Sequence, residues 1–335
     1  VISLAKKKYS KEMLIDLYRM MIRIRAFETR AAECFTKGML AGNIHLCIGQ
    51  EAVAAGACYA LEKEDYMATT HRGHGHTIAK GGKLDKMLAE LFGKKTGYCN
   101  GKGGSMHIAD VEGLHHLGAN GIVGAGIPIA TGSALASKVL GDKHVTLCFF
   151  GDSASNQGTF HEAVNMAAAW KLPVVFLCEN NKYGVSTNIH SVTNTDTIAV
   201  RAKGYDIPGT TVDGNDPVIV YEAVKEAADF ARAGNGPSIV ECITYRHQGH
   251  YCGDPANYRP AEYMENAHKD DGIPNMRARL LDEKVATEEE LVAVEEEVKA
   301  EMDAAYEFAV ASEYPDPSEA TTDVYSSDNE RSVAR

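Results

Sequence analysis

Apolar positions along this chain follow two periods. Residues 145–150 (VTLCFF) and 174–178 (VVFLC) are short unbroken apolar runs rich in β-formers, too brief for helices, and read as strands buried on both faces. Between them Phe160, Ala163, Val164, Ala167 and Ala168 repeat at helical spacing until Pro173. The segment therefore reads as a βαβ unit, with parallel strands and a right-handed crossover. Upstream, Met13, Leu14, Leu17, Met20, Met21, Ile24 and Phe27 predict a long packing helix over 11–36, stopped at Gly38. An alanine-rich helix is expected from Glu51 to about Leu61, and another over 127–140 ending at Gly141. Downstream come a short helix over 197–205, a strand stub over 210–212, a helix over 218–233 capped by Asp216-Pro217, and a further buried strand over 237–245. The acid-rich helix over 287–313 reads as a solvated face, and the polar tail 315–335 as a segment ordered by docking on a partner. Neither repeats nor linkers show, so the expectation is one α/β domain over 1–335. It would hold a mostly parallel sheet flanked by helices, with residues 1–40 as an N-terminal helical extension.

The strand ends carry the chemistry. One apolar run stops at Gly151-Asp152, the next at Glu179-Asn180-Asn181, and the carboxyl edge of a parallel sheet is where ligands sit. Asp152 and Asn181 are hard oxygen donors suited to Mg²⁺ or Ca²⁺ on a diphosphate, and the helix start near 155–158 would add free N–H groups. A lone Gly-Asp or Asn-Asn is as often an ordinary turn; the pair at this spacing is far less common. The segment His71-Arg72-Gly73-His74-Gly75-His76 reads as a loop with glycine hinges, in which Arg72 suits a phosphate. Histidines two apart can also chelate a metal, but no cysteine or carboxylate lies close by in sequence, so the phosphate reading is preferred.

Two glycine-rich stretches imitate nucleotide sites. Residues 93–107 lack the P-loop pattern, because Lys102 is followed by Gly103. Residues 118–132 have Ile129 where a dinucleotide fingerprint needs glycine or alanine, and no strand is expected to run into them.

Charge and composition narrow the class. A net charge of −12 over 335 residues argues against nucleic acid, and 44% hydrophobic with 24% charged residues is the balance of a globular enzyme. Eight scattered cysteines without a C-x-x-C pair read as buried thiols in a reducing compartment. With no apolar run near membrane length and no signal-peptide core after the basic N-terminus, the expected location is cytoplasmic, away from membranes.

Gly151-Asp152 followed across a strand-helix-strand by Asn180-Asn181 resembles the thiamine diphosphate signature GDG…NN. The wider text GDSASNQGTFHEAVNMAAAWKLPVVFLCENNKYG is similar to the α subunits of the E1 components of pyruvate, branched-chain 2-oxo acid and acetoin dehydrogenases, a likeness running over residues 10–325. The resemblance implies thiamine diphosphate and Mg²⁺ as cofactors, with Asp152, Asn181 and the carbonyl of Tyr183 as metal ligands. It places Arg72 and His250 on the diphosphate, His45, His71 (where tyrosine is frequent), Gly151, Ser153 and Ala154 in the cofactor pocket, and the main chain of Gly121 and Val123 at the aminopyrimidine. His74 and His250 become the expected proton carriers. GKGGSMH becomes an ordered structural loop, and the loop bearing R-x-H-G-H is matched only partly by Arg246-His247-Gln248-Gly249-His250. Residues 245–262 hold no Ser or Thr, so kinase control at that loop is not expected. The activating Glu is expected on a β subunit, giving an α₂β₂ assembly that hands an acyl group to a lipoyl-bearing E2. The small carbonyl substrate would be acetoin first and pyruvate second. Ser153, standing where the signature has Gly, departs from it; at a positive φ it would cost roughly 1–2 kcal/mol. That departure keeps open a paralogue or assembly subunit that holds the cofactor without turnover.

Overall fold

The computed structural model describes residues 9–322, so the ends of the N-terminal basic cluster and of the polar tail lie outside the described residues. In chain order the elements begin with helices α1 (Lys11–Thr36) and α2 (Glu51–Tyr59), strand β1 (Tyr66–Thr70) and helices α3 (His74–Ala79), α4 (Leu84–Leu91) and α5 (Val111–Leu114). Strand β2 (His116–Asn120), helix α6 (Gly126–Leu140), strand β3 (Thr146–Gly151), helix α7 (Gly158–Ala169) and strand β4 (Val174–Asn180) form the centre. The small hairpin β5 (Tyr183–Gly184) and β6 (Thr187–Asn188) precedes β7 (Gly209–Asp213), α8 (Pro217–Arg232) and β8 (Ser238–Ile243). Helices α9 (Ala261–Lys269), α10 (Gly272–Asp282) and α11 (Glu288–Ala311) follow.

Six strands make one sheet in the order β2-β1-β3-β4-β8-β7, and every pairing in it is parallel. Alternation along β3 and β4 explains why both read as continuous apolar runs. Cys148, Phe150, Phe176 and Cys178 pack on α6 and α7 with Phe160 and Val164, whereas Leu147, Phe149, Val175 and Leu177 pack on α2 and α8 with Val53 and Val220. The expected βαβ unit is present, with β3 and β4 paired from Thr146–Val174 through Gly151–Glu179. All eight cysteines are free thiols, six of them buried. Among the described residues no helix is long and apolar enough to cross a membrane.

Three expectations are corrected. A strand, β2, does run into the glycine-rich turn 121–126; its sequence HLGAN has no apolar run to announce it. The segment 71–76 is not all loop, because α3 begins at His74. The acidic face of α11 is not merely solvated: Glu290 and Glu301 pair with Lys11 at 2.6 Å and Arg23 at 2.7 Å, and Glu297 and Asp303 pair with Arg19 and Arg30, all on α1. These exposed pairs are each worth little, and the join rests on the buried Leu291, Val294, Val298 and Met302.

Helix α2 lies hard against the start of α8. A Cβ on Gly56 would sit 2.3 Å from the Pro217 carbonyl oxygen and 2.9 Å from Val220 Cβ. Gly56→Ala is therefore expected to destabilise the fold by about 2–3 kcal/mol, read as a lower urea midpoint with an unchanged slope.

Candidate cofactor-binding cavity

Because the chain passes from β1 out to β2 and back across to β3, the loops after β1 and β3 diverge at the carboxyl edge of the sheet. A cavity of about 580 Å³ opens there. His45, His71, Arg72, Gly121, Val123, Gly151, Asp152, Ser153, Ala154, Asn181, Tyr183 and His250 all line it.

Its floor is an oxygen-donor cluster. Asp152 leaves β3 only 2% exposed, and burial pushes its carboxyl up to about 6. Ser153 Oγ donates to its Oδ2 at 3.4 Å and its own backbone N–H also favours the charge, yet burial outweighs both, and a buried carboxylate of this kind suits a cation. Asn181 donates its Nδ2 to Gln50 Oε1 at 3.1 Å and accepts the Tyr183 N–H on Oδ1 at 3.2 Å, which fixes its amide. The hairpin carrying Tyr183 is turned by left-handed residues on either side, Lys182 at φ 69° and Val185 at φ 52°. For a β-branched valine this costs about 1–2 kcal/mol, strain of the kind kept where a backbone atom must be aimed. Carboxylate, amide oxygen and main-chain carbonyl form a hard set, appropriate to Mg²⁺.

The position expected to test that floor is benign. Ser153 is not among the positive-φ residues, so serine follows the glycine path without strain. Its side chain lies over Gly184, where a Cβ would be 2.0 Å from Ser153 Oγ. Ser153→Gly is expected to change cofactor affinity by less than about threefold, roughly 0.6 kcal/mol, in a calorimetric titration.

The wall above is cationic. Arg72 is buried and donates to the carbonyls of Leu46 and, at 2.9 Å, His250; burial first, then Arg246, lower it to about 10. Arg246 was missed by the sequence reading, although it opens the partly matched loop after β8. It donates to the carbonyls of Tyr183 and Val185, both at 3.3 Å, while its buried Nε has no partner. Two buried guanidiniums lining one cavity, one of them with an unpaired Nε, fit a polyanion such as a diphosphate. His45 and His250 are lowered to about 3 and about 4, and His71 is held far down too; burial leads in each case and Arg72 follows, so all three rings are neutral at pH 7.

The turn between β3 and α7 puts the helix start at the end of the expected range 155–158. Residues Asp152–Asn156 form a 3₁₀ turn, and α7 starts only at Gly158, with no capping side chain on its first N–H groups.

His74 is the expected residue the fold keeps away. It is fully buried outside the lining, with Nδ1 3.1 Å from Glu28 Oε2 and Nε2 3.0 Å from Ser105 Oγ. Starting α3 at His74 turns this ring inward and leaves His71 on the cavity side. His76 is also inward, 3.1 Å from Glu179 Oε1 and stacked on Phe149.

The glycine-rich stretch 93–107 is held by Glu90, fully buried on α4. Its carboxylate accepts the N–H groups of Cys99 at 2.7 Å, Gly101 at 3.0 Å, Gly103 at 2.7 Å and Gly104 at 3.1 Å. The loop is thus an anion nest filled by the protein's own carboxylate, so these four N–H groups are not offered to a phosphate. It delivers Met106 to the cavity and Ser105 to His74.

Comparison with known proteins agrees with this architecture. A family model described as dehydrogenase E1 component matches residues 18–318. The α subunit of acetoin:2,6-dichlorophenolindophenol oxidoreductase from Bacillus subtilis is 49% identical over 317 residues, 94% of each chain. The subunit of the same name from Cupriavidus necator is 46% identical over 94% of this chain and 95% of its own. The pyruvate dehydrogenase E1 component subunit alpha of Rhizobium meliloti is 41% identical over 95% of this chain and 91% of its own. The chain belongs to the dehydrogenase E1 component family.

Proposed function

We propose that this chain is the α subunit of an acetoin-cleaving E1 enzyme and binds the Mg²⁺-diphosphate half of thiamine diphosphate. The observation that carries the reading is one cavity gathering a buried Asp152 whose carboxyl burial raises, the fixed Asn181 and Tyr183, and the two guanidiniums of Arg72 and Arg246. Asp152, Asn181 and the Tyr183 carbonyl would hold Mg²⁺. Arg72, Arg246, His45, His71 and His250 would hold the diphosphate, with Gly151, Ser153 and Ala154 beneath it and the main chain of Gly121 and Val123 at the aminopyrimidine. Thiamine diphosphate, when bound, supplies a nucleophilic ring carbon that attacks a carbonyl and takes up the electron pair of the breaking C–C bond. His250, neutral and at the cavity wall, carries a proton on a ring nitrogen to or from the substrate oxygen.

A β subunit completes the site. Of the carboxylates lining the cavity, Asp152 lies on the floor and Glu179 is engaged by His76, so the acid that activates the cofactor ring comes from a partner. Along α6, Ile129, Gly132, Ala136 and Val139 make an exposed apolar stripe at helical spacing, continued by Ile122 and Val123 at the cavity rim, and this supports a helix-packed partner beside the cofactor. The whole chain acts as one domain in a cytoplasmic α₂β₂ assembly, its tail docked on a partner and its acyl product passed to lipoyl-E2.

Acetoin is preferred to pyruvate because the more similar of these relatives are named for acetoin. The test is turnover of the chain co-purified with its β partner, with dichlorophenolindophenol as acceptor. A kcat/KM at least about tenfold higher for acetoin supports the reading. A preference for pyruvate overturns the substrate, and turnover of neither overturns the enzyme.

A further inference from the structure

Histidines from three separate loops meet on one wall of the cavity: His45 before α2, His71 after β1 and His250 after β8. Their ring centres are 4.8, 5.0 and 5.3 Å apart. One ring nitrogen from each lies within 4.8 Å of the other two. Around a tetrahedral ion with metal–nitrogen bonds of about 2.0–2.1 Å, ring centres stand about 5.2 Å apart and ligating nitrogens about 3.4 Å apart. The rings already have the spacing of a metal-bound set, and small side-chain rotations would bring the nitrogens together. The buried Nδ1 atoms of His45 and His250 have no hydrogen-bond partner, so no contact within the protein holds those two rings in one tautomer through Nδ1.

We propose that His45, His71 and His250 form a second cation site, for a borderline ion of the zinc class, with its fourth position open to the cavity. Softness separates it from the floor: three imidazole nitrogens favour Zn²⁺ or Co²⁺, whereas the oxygen set of Asp152, Asn181 and Tyr183 favours Mg²⁺. Histidines two apart along the chain do not make the site, since His74 and His76 turn inward to Glu28 and Glu179. A ring nitrogen that holds a metal cannot donate N–H to a diphosphate, so zinc loading would compete with the cofactor; that consequence alone rests on the thiamine diphosphate reading.

The test uses the full chain, with any co-purifying partner, stripped of metal by chelator. Zn²⁺ affinity is read by competition with a chromogenic chelator, and Co²⁺ by its visible absorption. One Co²⁺ per chain with intense tetrahedral bands is expected, lost in His71→Tyr and in His250→Gln, with Zn²⁺ affinity down by more than about tenfold in each. Asp152→Asn is expected to leave both readouts unchanged, and millimolar Mg²⁺ to displace neither ion. Unfolding midpoints of the two histidine variants confirm that they fold. Absence of zinc binding, unchanged affinity in folded His71→Tyr and His250→Gln, or loss confined to Asp152→Asn would overturn the proposal. A parallel titration with thiamine diphosphate keeps the two readings separable: cofactor uptake without zinc binding removes only the metal site, and zinc binding without cofactor uptake removes only the thiamine reading.

Discussion

Glu90→Ala is expected to lower stability by about 4 kcal/mol or more, a large part of what a domain has in reserve. The carboxylate accepts four main-chain N–H groups from residues 99–104, and alanine would leave them facing an apolar gap. The backbone cannot re-pair easily, because it passes through left-handed turns at Asn100, Gly101 and Gly104 that aim those groups at one point. Glu90→Gln keeps the shape but turns one acceptor into a donor, so an intermediate loss is expected. Thermal unfolding gives the size, and hydrogen exchange should show the amides of 99, 101, 103 and 104 losing protection first. The loop also places Ser105 on His74 and Met106 at the cavity, so cofactor affinity should fall with it. A Glu90→Ala protein within about 1 kcal/mol of the parent would show that the nest is held by something else.

Asp152→Asn separates binding from stability with opposite signs. Loss of the charged ligand should weaken Mg²⁺-dependent cofactor binding by more than about a hundredfold, roughly 3 kcal/mol. The cofactor-free chain should become more stable at neutral pH. Burial raises the Asp152 carboxyl from 3.8 to about 6, so its protonated form is favoured in the fold. Such a group lends its stability fully below its unfolded value and loses it as pH rises through the folded one. Between pH 4 and pH 7 the parent should therefore lose on the order of 2–3 kcal/mol relative to asparagine, which never ionises. Urea unfolding across that range should show the two proteins converging near pH 4 and separating by pH 7.

The parts of this molecule that announce themselves in sequence are those where one physical demand dominates. Strands β3, β4 and β8 are buried on both faces, so their apolar runs are unmistakable, and the polar residues ending them had to fall at the sheet edge. Strands β1 and β2, YMATT and HLGAN, carry neither an apolar run nor clean alternation, since their burial is partial and their ends serve the cavity. His71, His74 and His76 are indistinguishable by type and spacing; only the start of α3 decides that His71 lines the cavity and the others face buried glutamates. Glu90 looks like any helical surface charge, because its partners are backbone groups that leave no mark on residue identity. Arg246 stood at a strand end in a half-matched motif and could have been read from the same logic as Arg72.

Whether the cavity holds the Mg²⁺-diphosphate end of thiamine diphosphate is decided by calorimetric titration. Thiamine diphosphate is titrated into the chain with its co-purified β partner, with Mg²⁺ and with chelator, for the parent and for Asp152→Asn. Binding that needs Mg²⁺ and is lost in the variant is expected. Binding that ignores both Mg²⁺ and Asp152, or no binding at all, would contradict it.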